Sequence, residues 1–195
     1  MLDIHNIEIL RSSVCSLKET SKSDPDGSVF YMTESLLDVV NFDVVKDKYI
    51  AALAVPEAPK SNDAFYASEA GEMYFIEFKS GVISREKTFE IRLKIFDSLL
   101  ILTDIAKVDI SDTRQSLSYI LVYNETKNPR IENEKEELQV SPSRTEIAKH
   151  ISKKGQKEFI RFSLERFQTL YFKNVFTVTE EEFEDKFVKK WVRQV

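Results

Sequence analysis

The sequence predicts an α/β protein, with α+β as the alternative, built on a central mixed sheet flanked by helices. Three observations carry that reading. Two β-like runs, Ala64–Ala67 and Met73–Lys79, flank a polar turn that contains Gly71. An amphipathic stretch follows over about 85–105, and a β-branched run, Tyr119–Tyr123, comes next. Hairpin, helix and strand in that order suit a sheet covered by helices. With 195 residues, 14 of them Phe and 7 Tyr, the chain can bury a sizeable core as one domain. Its expected division is a core over about 30–124 and a C-terminal α/β elaboration over about 140–195.

Residues 1–20 alternate weakly and fit either a strand or a short helix. Ser23-Asp24-Pro25-Asp26-Gly27 is a strong turn signal. From Tyr31 to Leu53 the apolar residues Leu36, Leu37, Val40, Val44, Val45 and Tyr49 recur at helical spacing. That predicts one long helix, or two broken near Asn41. In the run 73–79, Tyr74, Ile76 and Phe78 share one face, and Phe75, Glu77 and Lys79 the other. Ile91, Ile95, Leu99 and Leu102 form the stripe of the helix over 85–105. Lys127–Gln139 is charged and reads as an exposed loop. Ser143-x-x-Glu146 and Thr179-x-x-Glu182 have capping-box spacing. The second opens a C-terminal helix carrying Phe183, Phe187 and Trp191. Phe159–Phe162 and Val175–Val178 read as strands around a helix-like Leu164–Tyr171.

Composition narrows the function classes. The net charge is −5, which counts against tight nonspecific binding of duplex nucleic acid, since that depends on Lys and Arg displacing counterions. A local basic rim remains compatible with an acidic whole. One cysteine, Cys15, excludes an intrachain disulfide and fits a cytoplasmic setting. No run approaches the roughly 20 apolar residues of a membrane span, and the N-terminus lacks a signal-peptide pattern. Only four glycines leave no Walker loop, dinucleotide fingerprint or nucleophile elbow. His5 and His150 have no partner at metal-ligand spacing.

The residues that can carry chemistry lie on the hairpin. Period-two geometry puts Glu77 and Lys79 on one face, about 7 Å apart along the strand. Asp63 begins the partner run, fourteen positions earlier. Two carboxylates brought together attract a hard divalent cation such as Mg²⁺ or Mn²⁺, and the carbonyl of Phe78 can add an oxygen. Such a cation polarises a phosphodiester and acidifies a bound water. Lys79 beside it can orient that water or stabilise developing charge. The bland reading is a cross-strand salt bridge on an exposed hairpin. Against it, Tyr74, Phe75, Ile76 and Phe78 suggest a strand covered on both sides, where charge is costly unless paired or metal-bound.

Ser61-Asn62-Asp63-Ala64-Phe65 with Tyr74-Phe75-Ile76-Glu77-Phe78-Lys79 resembles the PD-(D/E)XK nuclease superfamily over about residues 30–124. The resemblance implies a restriction-endonuclease-like core of helix, three-stranded meander, helix and strand. It also implies a metal on Asp63 and Glu77, with Lys79 adjacent. The family often adds an acid from its first helix, for which Glu34 is the candidate, with Asp38 one turn on. The chain is also similar to a subgroup of bacterial and phage proteins with FIEFK-, KIFDSL- and LVYNE-like segments, to which no particular activity attaches. Three departures stand out. Asn62 replaces a frequent proline. Pro25-Asp26 lies too far upstream of Glu77, with a helix between. The family's first core strand has no evident place before Asp63.

Arg85, Lys87, Arg92, Lys94, Arg161 and Arg166 offer a basic rim or ordinary surface charge, and Lys94 and Asp97 read chiefly as surface residues. The expected function is therefore metal-dependent phosphodiester hydrolysis of DNA or RNA, with Asp63, Glu77 and Lys79 catalytic. The alternative is a non-catalytic nuclease-fold interaction protein serving phage defence, toxin neutralisation or a complex. Nucleic acid and a protein partner are the candidate ligands, and no membrane is involved.

Overall fold

The computed structural model describes residues 6–24, 27–51, 53, 55–68, 70–130 and 159–193. The N-terminal segment supplies α1 (Glu8–Arg11), β1 (Val14–Ser16) and α2 (Leu17–Thr20). A two-stranded ribbon follows, β2 (Lys22–Ser23) with β3 (Phe30–Tyr31). Next come β4 (Asp38–Asn41), α3 (Phe42–Ile50), β5 (Ala64–Ala67) and β6 (Met73–Lys79). The long helix α4 (Arg85–Ala106), α5 (Ile110–Ser116) and β7 (Leu117–Tyr123) complete the middle of the chain. Beyond them lie β8 (Val175–Thr179), α6 (Glu180–Phe183), a π-helical turn (Glu184–Val188) and α7 (Lys189–Val192).

Six strands form one mixed sheet in the order β1-β4-β5-β6-β7-β8. The pairs from β1 to β6 are antiparallel, and β6, β7 and β8 run parallel. The α/β class expected from the sequence is the one observed. The sheet extends beyond the span 30–124 at both edges, through β1 and β8.

Both faces are covered, as the run of hydrophobic residues in β6 and β7 requires. On one face Phe65, Phe75, Tyr119 and Leu121 meet Phe42 and Val45 of α3 and Ile91, Ile95, Leu99 and Leu102 of α4. On the other, Tyr66, Tyr74, Ile76, Phe78, Ile120 and Val122 meet Phe183, Phe187, Val188 and Trp191. Every residue of β7 is buried, so this strand is the spine of both layers.

Several expectations are corrected. Residues 31–53 are not a long helix: the chain is extended at Asp38–Asn41 and helical only from Phe42 to Ile50. Asn41 is the point of change, and its side chain accepts from Val44 N at 3.1 Å as the N-cap. A strand before Asp63, without an evident place in the sequence, is present as β4. Phe159–Phe162 is not a strand, because Phe162 and Ser163 adopt φ of 59° and 51°, a left-handed pair that breaks extension. Of Leu164–Tyr171 only Glu165–Phe167 is helical, as one 3₁₀ turn. The Thr179 capping box is present in both directions, Glu182 N to Thr179 Oγ1 at 3.2 Å and Thr179 N to Glu182 Oε2 at 3.1 Å. The Ser143 box, His5, His150, Pro25-Asp26 and most of 127–139 lie outside the described residues. Among the described residues no helix is long and apolar enough to cross a membrane.

Trp191 is fully buried against Tyr66, Tyr74, Phe183 and Phe187, with ring centroids 4.3–5.9 Å away. Trp191→Ala is expected to cost about 3–5 kcal/mol, read as a lower urea midpoint.

Candidate active site

The antiparallel register that pairs Ala64 with Ile76 sets Asp63 opposite Glu77 one step further on. Alternation places both on the α3/α4 face of the sheet. They sit at the C-terminal edge of the parallel strands, where open α/β sheets commonly bind ligands. Asp63 stays there because Phe78 N donates to its Oδ2 at 2.7 Å. Its own carbonyl accepts from Phe42 N at 3.2 Å, which ties it to the start of α3.

Helix α4 holds the segment leading into β5 at three points. Lys60 N donates to Asp97 Oδ2 at 2.7 Å, and Asn62 N to Ser98 Oγ at 2.8 Å. The third contact belongs to Lys94, whose Nζ donates to Asp63 Oδ1 at 2.9 Å and to Glu77 Oε1 at 2.7 Å. Lys79 Nζ donates to the same Oε1 at 2.5 Å. Two carboxylates and two ammonium groups thus form one connected quartet. Asn124 N also donates to Lys79 O at 3.1 Å, and Asn128 brackets the following loop through Gly81 O and Ile83 N.

Glu77 is 0% exposed, and Lys94 only 19% in its side chain. Burial pushes the Glu77 carboxyl above the usual range. The Asp63 charge adds to this, while Lys94 and Lys79 oppose it. Burial alone would lower the Lys94 ammonium. The charges of Glu77 and Asp63 outweigh it and hold Lys94 above the ordinary lysine value. Tyr119, on the same sheet face, is raised by burial and then by the fields of Glu77 and Asp63. Among the described residues Glu77 Oε2, the Tyr119 hydroxyl and both side-chain polar atoms of Asn62 are buried without a hydrogen-bond partner.

Beside the quartet lies a polar cleft of about 290 Å³. Asp63, Lys79 and Ser80 form one wall, and Glu19, Lys22 and Ser23 of the N-terminal segment form another. A contact of 2.6 Å between the hydroxyls of Ser23 and Ser80 joins the two.

Asp63, Glu77 and Lys79 therefore come together. Phe78 contributes its amide to Asp63, while its ring packs on Phe183 in the opposite layer. Glu34 does not lie on a helix: it is exposed, precedes β4 and pairs with Lys18 at 2.6 Å. Asp38 is exposed at the start of β4. Lys94 and Asp97, read from the sequence chiefly as surface charges, hold the site instead. Of the basic residues considered for a rim, Lys87 pairs with Glu90, and Arg92 donates to Ser163 O. Arg161 stacks on Tyr123 and Phe162.

Family models, curated proteins and solved structures yield no match to this chain.

The geometry can be tested for a divalent cation. Asp63 Oδ1 and Glu77 Oε1 already share one positive charge, the Lys94 ammonium, and Glu77 Oε2 lacks a partner. Among the described residues no third His, Cys, Asp or Glu joins them as a metal-binding group. A Mg²⁺ ion placed there would have these two carboxylates as its protein ligands and would keep several waters.

Lys94→Met leaves Glu77 buried with Lys79 alone. The expected loss is about 3 kcal/mol at neutral pH, the low end for breaking a buried pair. The carboxyl of Glu77 is raised in the folded state, so the folded protein binds the extra proton. Stability of Lys94→Met should therefore recover as pH falls through that raised value toward the ordinary glutamate value of about 4.3. Urea midpoints across pH check this, and a deficit that does not change with pH would refute it.

Proposed function

We propose that the chain is a divalent-metal-dependent phosphodiesterase of PD-(D/E)XK type acting on nucleic acid. One observation carries the reading: Asp63 Oδ1 and Glu77 Oε1 converge on a single cation at the C-terminal edge of the parallel strands, beside a polar cleft. Bound Mg²⁺ or Mn²⁺ would supply Lewis acidity toward the phosphodiester and a more acidic water.

The remaining roles belong to the chain. Asp63 and Glu77 would hold the ion, and the Phe78 amide fixes the carboxylate of Asp63 in its orientation. Lys79 lines the cleft, where its ammonium can pair with a non-bridging phosphate oxygen and favour the extra charge of the transition state. Asp97 and Ser98 of α4 position Asp63 by restraining the segment before it. The small cleft and the net charge of −5 favour a single strand or a strand end over a duplex lying across the surface.

The quartet's charge balance favours a second reading, a nuclease-fold interaction protein without turnover. Two ammonium groups already neutralise two carboxylates, so the site is self-sufficient without metal.

Incubation with single-stranded DNA, plasmid and RNA in the presence of Mn²⁺ or Mg²⁺ separates the two. The nuclease reading expects cleavage that Asp63→Asn and Glu77→Gln abolish and that Lys79→Ala slows by roughly 10²–10³-fold. Absence of cleavage on all three substrates, together with no Mn²⁺ binding at millimolar concentration by calorimetry, favours the interaction protein.

A further inference from the structure

The position of Lys94 bears on how the site would take up metal, and the inference rests on the reading of Asp63 and Glu77 as metal ligands. Asp63 Oδ2 is engaged by the Phe78 amide. The oxygens that Asp63 and Glu77 turn toward a common cation are Oδ1 and Oε1, and Lys94 Nζ bonds both. Lys79 touches only Glu77 in this way. Among the described residues Lys94 alone bridges the two carboxylates.

A divalent ion and an ammonium group cannot share that bridge. Like charges that close repel strongly in a partly buried site, and a divalent ion doubles the repulsion. The ammonium must therefore leave before the ion enters. It can do so without moving α4, because the helix is anchored separately by Ile91, Ile95 and Leu99. The lysine stem is long and flexible, and part of the side chain reaches solvent.

We propose that Lys94 is a resident counter-ion that competes with the divalent metal for Asp63 and Glu77. It keeps the metal-free site neutral and sets the metal affinity. An anion in the cleft, such as a substrate phosphate, gives the displaced ammonium a new partner. Substrate and metal then load together rather than independently.

Mn²⁺ binding to the full chain, measured by calorimetry and by the electron paramagnetic resonance signal of free Mn²⁺, tests this without reference to turnover. Lys94→Met, and Lys94→Gln should the first variant fold poorly, are expected to bind Mn²⁺ at least about tenfold more tightly than wild type, or roughly 1.4 kcal/mol. Lys94→Arg keeps the charge and should bind no more tightly than wild type. Asp63→Asn should lose binding. Equal or weaker affinity in Lys94→Met and Lys94→Gln, or tighter affinity in Lys94→Arg, overturns the competition while leaving the metal site standing. No Mn²⁺ binding by wild type or by any Lys94 variant overturns the metal reading and the competition with it.

Discussion

The burial of one carboxylate governs this fold. Glu77 sits in a strand covered on both faces, in a layer otherwise made of Phe65, Phe75, Leu121 and the apolar stripe of α4. An isolated charge there would be prohibitively costly. The fold meets that cost by bringing a cation from another element. Lys94 can reach Glu77 only if α4 lies across β5 and β6 in one register. The same register engages Asp97 and Ser98 with the segment leading to Asp63. The electrostatic requirement of one side chain thus aligns the helix, the strand and the approach to the site.

The remaining architecture supports that alignment. The π-turn before Lys189 continues the C-terminal helix so that Phe183, Phe187 and Trp191 all face the sheet and close its second side. Arg130, paired with Glu182 and bonded to the Tyr123 hydroxyl, ties the C-terminal layer to the end of β7 close to the site edge. Among the described residues, Asn62, Glu77 and Tyr119 on this side of the sheet carry buried polar atoms without a hydrogen-bond partner.

Much of this was legible in the sequence, for identifiable reasons. Strand β6, helix α4 and strand β7 carry unambiguous periods, and period two alone put Glu77 and Lys79 on one face. Strand β4 was hidden because Leu36, Leu37, Val40 and Val44 imitate a helical stripe. The change at Asn41 depends on a cap that any asparagine can make or decline. Phe159–Phe162 has strand composition, but its left-handed residues obey tertiary context. Lys94 was obscured for a different reason. A lysine among Arg92, Lys87 and Glu90 reads as solvated, yet it follows Ile91 by three positions and precedes Ser98 by four, both buried. That placement at the edge of the apolar stripe was the available signal.

Diffraction at the manganese absorption edge from crystals soaked in Mn²⁺ tests the central claim most directly. An anomalous peak is expected at bonding distance from Asp63 Oδ1 and Glu77 Oε1, with the Lys94 ammonium displaced toward the cleft. Lys94 still bridging both carboxylates, with no peak between them, would contradict it.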